Sequence, residues 1–270
     1  MSSPSKRVLI TGAAGGLGSA IRQALRQHAV HIVGIDKQPD SGHAQNDMLL
    51  VDIRNATAVQ HAVTQAIDRL GGLDILINNA GVLSVEDAGA LPNENVQETI
   101  EVNLLGLWYV TAAALPALLA SHGRVINIAS LFAVVNAPLL PSYSATKRAV
   151  AAYSDVLRMQ YGDRLTVTTL YPGYMRTPIH AAAERQGLSV ARLVTIYWGQ
   201  RQLLSLEEPL EAAAQGVIRA CYGRPRRDRG VTLTGTLTLL LARHLPRLVD
   251  WCINWRLKSL MKAGVLQISV

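Results

Sequence analysis

The sequence predicts an α/β domain in which a doubly wound parallel β-sheet carries helices on both faces. Short β-branched runs alternate with helical patterns through the first half of the chain, which is typical of such a sheet. The 270 residues are 49% hydrophobic and 17% charged, so the chain can bury a substantial core and disorder is not expected. No repeat or linker divides the sequence, and we expect one domain over residues 1–270.

The individual elements follow from the hydrophobic periodicity. Short β-branched runs predict strands at 7–11, 30–36, 47–52, 74–78, 124–130 and 165–171. Apolar residues that recur about every 3.6 positions predict helices at 17–28, 56–70, 93–121 and 142–161. Beyond these we expect no clear strand at 177–205, a helix at 207–222, a last strand at 230–234 and a helical tail at 235–270. Pro246 suits the first turn of a helix in that tail.

Charge and cysteine content limit the functional classes. The formal net charge is +7, and the basic run at residues 224–229 is interpreted as a solvated loop rather than a phosphate or nucleic-acid site. Cys221 and Cys252 lack metal-ligand spacing and form no disulfide framework, so we predict no metal site and a reducing, cytoplasmic location. The first apolar run ends at Gly12, too early for a secretion signal, and no apolar run reaches the ~18 residues of a membrane span.

A glycine-rich turn joins the first predicted strand to the first helix. Its sequence is Gly12-Ala13-Ala14-Gly15-Gly16-Leu17-Gly18. The N-terminus of a helix offers unpaired N–H groups and a positive dipole end, and glycines let the backbone approach a pyrophosphate closely. The turn therefore predicts a dinucleotide site, with a bare structural turn as the alternative.

Asp36 ends the second predicted strand, eighteen residues beyond Gly18. A carboxylate at that position accepts hydrogen bonds from both ribose hydroxyls of a dinucleotide and repels a 2′-phosphate. We therefore predict NAD rather than NADP. Lys37 follows directly and would tolerate a phosphate, so NADP stays open, and a simple strand-end cap is the structural alternative for Asp36.

Tyr143 and Lys147 lie four residues apart in a predicted helix, so both side chains project from one face. An ammonium beside a phenol favours the phenolate, and we expect the pKa of Tyr143 to fall below its ordinary value of about 10. Such a tyrosine can exchange a proton with a substrate oxygen. Ser130 lies thirteen residues upstream. Asp74 and Asn127, by contrast, are interpreted as structural residues.

These motifs together resemble the short-chain dehydrogenase/reductase family. Residues 11–18 resemble its TGxxxGxG turn, residues 78–81 its NNAG element and residues 172–177 its PGxxxT segment. The four residues that fall at the positions of its catalytic tetrad are Asn103, Ser130, Tyr143 and Lys147. The resemblance implies a single Rossmann-type domain with about seven parallel strands, assembled as a homodimer or homotetramer.

The resemblance also assigns roles to these residues. Tyr143 would be the general acid/base, and Lys147 would bind the nicotinamide ribose and lower the tyrosine pKa. Ser130 would hold the substrate oxygen, and Asn103 would support a water that carries protons away. The cofactor-binding residues that it implies are Thr11, Gly12, Gly15, Gly16, Leu17, Gly18, Asp36, Asp52, Ile53, Asn79, Ala80, Gly81, Tyr143, Lys147, Pro172, Gly173 and Thr177.

The implied function is hydride transfer between NAD and a secondary alcohol or ketone. Ser130, Phe132, Tyr143 and Tyr174 are expected to contact the substrate, with residues 178–206 as the substrate loop. The residues after Ser130 and Gly173 are mostly apolar, so a lipophilic, steroid-like or long-chain substrate of lipid metabolism is favoured over a sugar. A 3-oxoacyl thioester reductase and a non-catalytic NAD-binding scaffold stay open as alternatives.

Residues 236–270 interleave leucines and tryptophans with basic side chains. The first interpretation is a helix that packs on the substrate loop or on a partner subunit, because helical apolar stripes usually mark a buried face. A basic amphipathic helix with tryptophan also suits peripheral contact with a membrane. No nucleic-acid partner is expected.

Overall fold

The computed structural model describes residues 5–39, 47–185, 189–191, 195–198, 201–205 and 207–262, with the backbone alone at 182, 196–198 and 201–205. The strands, in chain order, are β1 Lys6–Thr11, β2 Val30–Asp36, β3 Met48–Leu50, β4 Ile75–Asn78, β5 Arg124–Ile128, β6 Thr166–Tyr171, β7 Thr195–Trp198, β8 Arg201–Ser205 and β9 Asp228–Gly230. The helices are α1 Gly16–Leu25, α2 Ala56–Leu70, α3 Glu94–Ile100, α4 Leu107–Ala120, α5 Pro141–Tyr161, α6 Ala181–Arg185, α7 Leu210–Tyr222, α8 Leu233–His244 and α9 Pro246–Lys262.

Seven of the strands form one parallel sheet in the order β3-β2-β1-β4-β5-β6-β9. The predicted doubly wound α/β fold is thereby confirmed. In β1, Val8 lies opposite Ile32 of β2 on one side and Ile75 of β4 on the other. The strand order reverses between β1 and β4, and in such sheets a crevice opens at the carboxyl ends of the strands at this point.

Helices cover both faces of the sheet, because successive strand residues point to opposite sides. Val8 and Ile10 of β1 pack in a cluster with Ile21 of α1 and Val217 of α7. Leu9, between them in the sequence, packs in a second cluster with residues of α2 and α4. The two clusters are the core on which the site is built.

Helices α3 and α4 continue into each other through a π-helical turn at Glu101–Gly106 and make one helix, Glu94–Ala120. Its length and apolar composition alone would suit a membrane span. However, Val110, Ala114 and Leu118 are fully buried in the second cluster. We therefore identify it as a core helix of the α/β domain.

The last strand of the sheet differs from the prediction. It spans Asp228–Gly230 instead of 230–234, so the end of the basic run belongs to the sheet. Thr232 caps helix α8, accepting a hydrogen bond from the backbone N–H of Gly235, and the chain is helical from Leu233 onwards. A threonine cap competes with continuation of a strand, and this local hydrogen bond ends the extended segment early.

The segment 177–205 contains a hairpin where no strand was expected. Strands β7 and β8 pair antiparallel, with a register shift between Ile196 and Tyr197. Isoleucine, tyrosine and tryptophan all favour extended backbone. The sequence therefore contains a strand pattern here, but it covers only a few residues. The tail prediction is confirmed as far as residue 262, with Pro246 as the first residue of α9; residues 263–270 lie outside the described part.

Candidate active site

Most of the predicted site residues meet in one cleft of about 430 Å³, which the loops after β1, β4 and β5 border. The predicted residues that line it are Gly12, Gly15, Gly16, Leu17, Gly18, Asp36, Asp52, Ile53, Asn79, Ala80, Gly81, Ser130, Phe132, Tyr143, Lys147, Pro172, Gly173 and Thr177. Motifs spread over more than half of the chain therefore form a single site.

The glycine-rich turn forms a cradle in which side chains would not fit. Gly12 has φ +64°, a left-handed conformation that glycine adopts without steric cost. A Cβ on Gly16 would lie 2.9 Å from Cγ2 of Thr177, and one on Gly18 would lie 2.0 Å from the carbonyl oxygen of Gly12. Helix α1 begins without a side-chain cap, so its first N–H groups remain available to an anion.

Asp36 directs its carboxylate back to this turn. Its Oδ2 accepts a 2.9 Å hydrogen bond from the backbone N–H of Ala14, and its Oδ1 accepts one of 3.1 Å from Gln38. The neighbouring Lys37, which would favour a phosphate, forms an ion pair with Glu98 at 3.5 Å. The cleft therefore has an acidic acceptor beside the cradle.

Asp52, which was predicted to accept from the adenine amino group, is also engaged within the protein. Nη2 of Arg54 lies 2.6 Å from Oδ2 of Asp52, and hydrogen bonding to Arg54 lowers the pKa of this carboxyl group. Ile53 packs closely on the π-helical turn, since a Cβ on Gly106 would lie 2.7 Å from its Cδ1. Asp52 lines the cleft, and Arg54 already occupies part of its capacity to accept hydrogen bonds.

Tyr143 lies on α5 one turn before Lys147, as predicted. Its side chain is 7% exposed, packs edge-on against Phe132 with ring centroids 6.3 Å apart, and forms a hydrogen bond with Ser130. The predicted lowering of its pKa is wrong for this state of the protein. Burial raises the pKa of Tyr143 to about 12, and the bond to Ser130 opposes this only in part. The loss of hydration for the phenolate is therefore the main cause of the raised pKa.

Lys147 is 3% exposed, and its Nζ donates a 2.9 Å hydrogen bond to the carbonyl oxygen of Ile128. Burial lowers the pKa of Lys147 to about 8. A Cβ on Gly81 would come within 3.3 Å of this Nζ, so the glycine of the segment 78–81 makes room for the ammonium. Burial thus shifts both Tyr143 and Lys147 towards their neutral forms, although with a pKa of about 8 Lys147 is still mainly an ammonium at pH 7.

Asn103 is fully buried behind the cleft and does not line it. It sits in the π-helical turn, where its Oδ1 accepts from the Val82 N–H at 2.8 Å and its Nδ2 donates to the Val82 carbonyl oxygen at 2.9 Å. A further 3.2 Å bond leads from Nδ2 to Thr146 of α5. Asn103 therefore joins the loop after β4 to the helix that carries Tyr143 and Lys147.

Two predicted contact residues lie outside the cleft lining. Thr11, expected to bind the cofactor, is 2% exposed, and its hydroxyl oxygen accepts the backbone N–H groups of Asn79 and Ala80 at 3.1 Å each. Tyr174, expected to contact the substrate, is 5% exposed and packs in a cluster behind Tyr143. Local backbone and packing contacts occupy both side chains, and their direct contact with cofactor or substrate stays a prediction.

The part of the cleft next to Tyr143 is mainly apolar, as predicted. Phe132, Met175 and Ile179 line it. Arg176, in the segment 172–177, is 78% exposed and pairs with Glu207 at 2.8 Å. Within the predicted substrate loop 178–206, residues 186–188, 192–194, 199–200 and 206 lie outside the described part of the chain.

His180 is a polar residue of the cleft lining that was not predicted from the sequence. It lines the cleft, is 7% exposed and stacks obliquely on Tyr174 with ring centroids 4.7 Å apart. Its Nδ1 has no hydrogen-bond partner within the described chain. Burial lowers the pKa of His180 to about 4, so the ring is neutral at physiological pH. A histidine following Pro178 and Ile179 gave no sequence signal beyond its polarity.

A buried carboxyl group in the loop after β4, which was not predicted from the sequence, contacts the start of α5. Glu86 is 8% exposed and accepts hydrogen bonds from the hydroxyls of Ser84 and Ser142, the latter at 2.8 Å. Ser84 is in turn 2.7 Å from the hydroxyl of Thr99. Because Ser142 immediately precedes Tyr143, this cluster fixes the first turn of α5 to the loop after β4.

Glu208 supports the opposite wall of the cleft. Its carboxylate accepts a 2.7 Å hydrogen bond from the backbone N–H of Gly173 and a second bond from the hydroxyl of Thr232. Burial raises the pKa of Glu208. The segment 172–177 is thereby tied to the residue that caps α8.

The two residues interpreted as structural are confirmed in that role. Asp74 receives three hydrogen bonds from Arg7, including Nη2 to Oδ1 at 2.9 Å. Asn127 is fully buried, accepts from Asn78 at 2.8 Å and donates to Ser154 at 2.8 Å. Neither side chain lines the cleft.

Comparison with known proteins agrees with this geometry. A family model described as short chain dehydrogenase matches residues 6–187. The chain is 33% identical over 200 residues to trans-4-hydroxycyclohexanecarboxylate dehydrogenase from Sinomonas cyclohexanicum, covering 67% of this chain and 76% of that protein. It is 28% identical to 11-beta-hydroxysteroid dehydrogenase A from Sesamum indicum, covering 96% of this chain and 77% of the relative.

Among solved structures, the fold is similar to a short chain dehydrogenase from Burkholderia cenocepacia J2315 in complex with NADP. The TM-score is 0.76 at 21% identity, and the match covers 94% of this chain and 99% of the other. At this identity the likeness concerns the fold alone.

Proposed function

The chain belongs to the short chain dehydrogenase family of NAD(P)-dependent oxidoreductases, and we propose that it interconverts a lipophilic secondary alcohol and its ketone with NAD. The observation that carries this proposal is the meeting of Ser130, Tyr143 and Lys147 with the glycine-rich turn in one cleft. A cradle for a pyrophosphate next to a buried proton donor is what nicotinamide-dependent carbonyl chemistry requires.

The residues present fit a nicotinamide dinucleotide. Gly12, Gly16 and Gly18 line the cleft without side chains, so the backbone of the turn can approach a pyrophosphate closely. Asp36 offers an acceptor for ribose hydroxyls. A bound nicotinamide supplies the hydride acceptor for oxidation and the hydride donor for reduction. NAD is favoured over NADP because a 2′-phosphate would meet the carboxylate of Asp36, while Lys37 is paired with Glu98.

In the proposed mechanism Tyr143 moves the proton. In reduction its phenol donates to the carbonyl oxygen of the ketone; in oxidation its phenolate takes the hydroxyl proton of the alcohol. Ser130, already bonded to Tyr143, would hydrogen-bond the same substrate oxygen and stabilise its changing charge. Lys147 would hold the ribose with its Nζ, and Asn103 would act as a positioning residue through Val82 and Thr146.

The lining of the cleft supports a lipophilic substrate with one further polar group. Phe132, Met175 and Ile179 provide apolar surface, and His180 provides an uncharged nitrogen without a partner in the described chain. The two named relatives act, by their names, on a hydroxycyclohexanecarboxylate and a hydroxysteroid. We therefore propose an alicyclic or long-chain secondary alcohol with a second oxygen within reach of His180.

We also propose that the protein works in the cytoplasm as a homodimer or homotetramer. Support comes from large apolar side chains on the outer faces of α4 and α5. Trp108 is 50% exposed, Val156 52% and Met159 87%. Burial of such side chains between subunits would remove apolar surface from water.

A substrate screen tests the proposed function. Alicyclic and long-chain secondary alcohols would be incubated with NAD⁺ or NADP⁺, and formation of the reduced cofactor followed by absorbance. Turnover with NAD⁺ is expected. Activity confined to acetoacetyl thioesters and NADPH would instead identify a 3-oxoacyl thioester reductase. Tight NADH binding without turnover of any alcohol or ketone would identify a cofactor-binding scaffold.

A further inference from the structure

We propose that helix α9 binds the surface of an anionic lipid bilayer through its outward face. The helix has two faces of different character. Leu257 and Leu260 point towards the domain and pack in the cluster that contains Tyr143, and Ile253, on the same side of the helix, is half-buried. The tail therefore packs on the substrate side of the domain along one face, and the opposite face is left for a partner.

The outward face is a single stripe, because its residues recur at intervals of three and four. We call it the outer stripe; its members are Leu248, Trp251, Trp255, Lys258 and Lys262. Leu248 is 50% exposed, Trp251 63% and Trp255 56%. Two adjacent tryptophans with more than half of their surface in water are costly unless a partner covers them.

Charge decides which partner fits the outer stripe. Between residues 233 and 262 there are five lysines and arginines and one acidic residue, Asp250. Arg243 pairs with Asp228 and Arg256 bonds to the carbonyl oxygen of Thr195. The three remaining cations are exposed: Arg247, Lys258 and Lys262.

A second copy of this chain is a poor partner for such a face. A two-fold interface places the same patch on both sides, so Lys258 and Lys262 would approach cations of the other copy. An anionic bilayer offers phosphates and carboxylates to the cations, and its headgroup region is where tryptophan rings prefer to lie. The preceding helix extends the apolar surface, since Leu233, Leu237 and Leu241 are exposed along one side of α8.

The test uses the full-length protein and vesicles of phosphatidylcholine with or without phosphatidylserine. We expect co-sedimentation only with the anionic vesicles, weakened by added salt. The triple variant R247Q/K258Q/K262Q should lose about a hundredfold in apparent affinity, at about fivefold for each cation near the surface. The double variant W251S/W255S should also bind weakly, and both should fold normally because the substituted side chains are exposed.

A matched control removes the same number of charges elsewhere. The variant R26Q/R224Q/R226Q changes three exposed arginines outside α9 and should retain binding. Cys252 is exposed on α9 and Cys221 is buried, so a polarity-sensitive dye on Cys252 should shift to shorter wavelength on anionic vesicles.

Three results would overturn the proposal. The first is absence of binding to anionic vesicles. The second is an equal loss in the control variant, which would indicate charge attraction without a specific face. The third is a dimer in solution that W251S/W255S dissociates while vesicle binding is unchanged, which would assign the outer stripe to a second copy.

Discussion

The ammonium nitrogen of Lys147 lies 5.8 Å from the centroid of the Tyr143 ring. Burial nevertheless determines the protonation of the phenol and raises the pKa of Tyr143 to about 12. The tyrosine of the described protein is therefore a neutral phenol at physiological pH. It is prepared to donate a proton, and it must lose one before it can act as a base.

Replacing Tyr143 by phenylalanine tests this proton transfer. The ring and its packing on Phe132 remain, so NADH binding measured by fluorescence should be unchanged. The turnover number should fall by about 10²–10⁴-fold, the usual contribution of general acid/base catalysis. Tyr153→Phe, on the same helix but outside the cleft, is the control and should keep its activity. A Tyr143→Phe enzyme with a near-normal rate would exclude the proposed role.

The two reaction directions should depend on pH differently. Oxidation needs the phenolate of Tyr143, so kcat/KM for the alcohol should rise as the pH increases. Reduction needs the phenol, which stays protonated well below its pKa of about 12, so its rate should change little over the same range. Steady-state rates in both directions between about pH 6 and 9 would measure this. Parallel profiles for the two directions would contradict the assignment.

Asp36 should determine the choice of cofactor. In Asp36→Ala the acceptor for the ribose hydroxyls is lost, and NADH affinity should fall about tenfold or more, because hydrogen bonds to a charged group are strong. NADPH affinity should rise, since the repulsion of its 2′-phosphate is removed. Asp68→Ala removes an equal charge from the exposed side of α2 and should alter neither affinity. Tighter NADPH binding by the unaltered protein would refute the prediction of NAD.

Glu86 should contribute to stability through the hydroxyls that it accepts. Glu86→Leu leaves Ser84 and Ser142 without their buried acceptor, so the free energy of unfolding should fall by about 2–4 kcal/mol. Glu86→Gln keeps one acceptor oxygen and should cost less. Chemical denaturation of both variants would measure the difference. Equal stability of the leucine variant and the parent would show that water replaces the carboxylate.

His180 should make the protein less stable in mild acid. Its pKa is lowered to about 4 in the folded protein, against about 6.5 in the unfolded chain. Between these values the unfolded chain binds the proton and the folded protein does not, so stability falls as the pH drops from about 6.5 towards 4, by up to about 1.4 kcal/mol per pH unit. In His180→Phe this part of the decline should disappear.

Thermal unfolding at about pH 7 and pH 5 would measure the effect. His61→Gln, on the exposed side of α2, is the matched histidine control and should keep the pH dependence of the parent. An unchanged pH dependence in His180→Phe would assign the acid loss to other groups.

The local hydrophobic pattern of the sequence was sufficient to predict most of the strands and helices. β2 and α2 have the predicted bounds because each is marked by its own periodicity, and Asn55 and Gly71 cap the helix at its two ends. The bounds of β9 were not predicted, because its pairing with β6 depends on a strand about sixty residues away (Thr169 opposite Asp228). Nothing in the basic sequence around Asp228 marks that contact.

Site residues were predictable where a sequence motif fixes the backbone. They were not predictable where burial by distant segments determines the environment of a side chain. The glycine cradle, Tyr143 and Lys147 follow from spacing within single segments. The roles of His180 and Glu86 depend on neighbours from distant segments, which bury them without a local signature. The pKa of Tyr143 is raised where the sequence predicted a lowering, and burial is again the reason. Spacing reveals the nearby cation but not the loss of hydration around the phenol.

The contact between Arg256 and Thr195 has a practical consequence. Nη2 of Arg256 donates a 2.7 Å hydrogen bond to the carbonyl oxygen of Thr195, and Leu260 packs in the same cluster as Tyr143. A shortened protein that ends before α9 would therefore lose part of the cluster in which Tyr143 packs. Inactivity of such a deletion would say nothing about where the enzyme resides, and only single-residue changes on the outer stripe can separate location from chemistry.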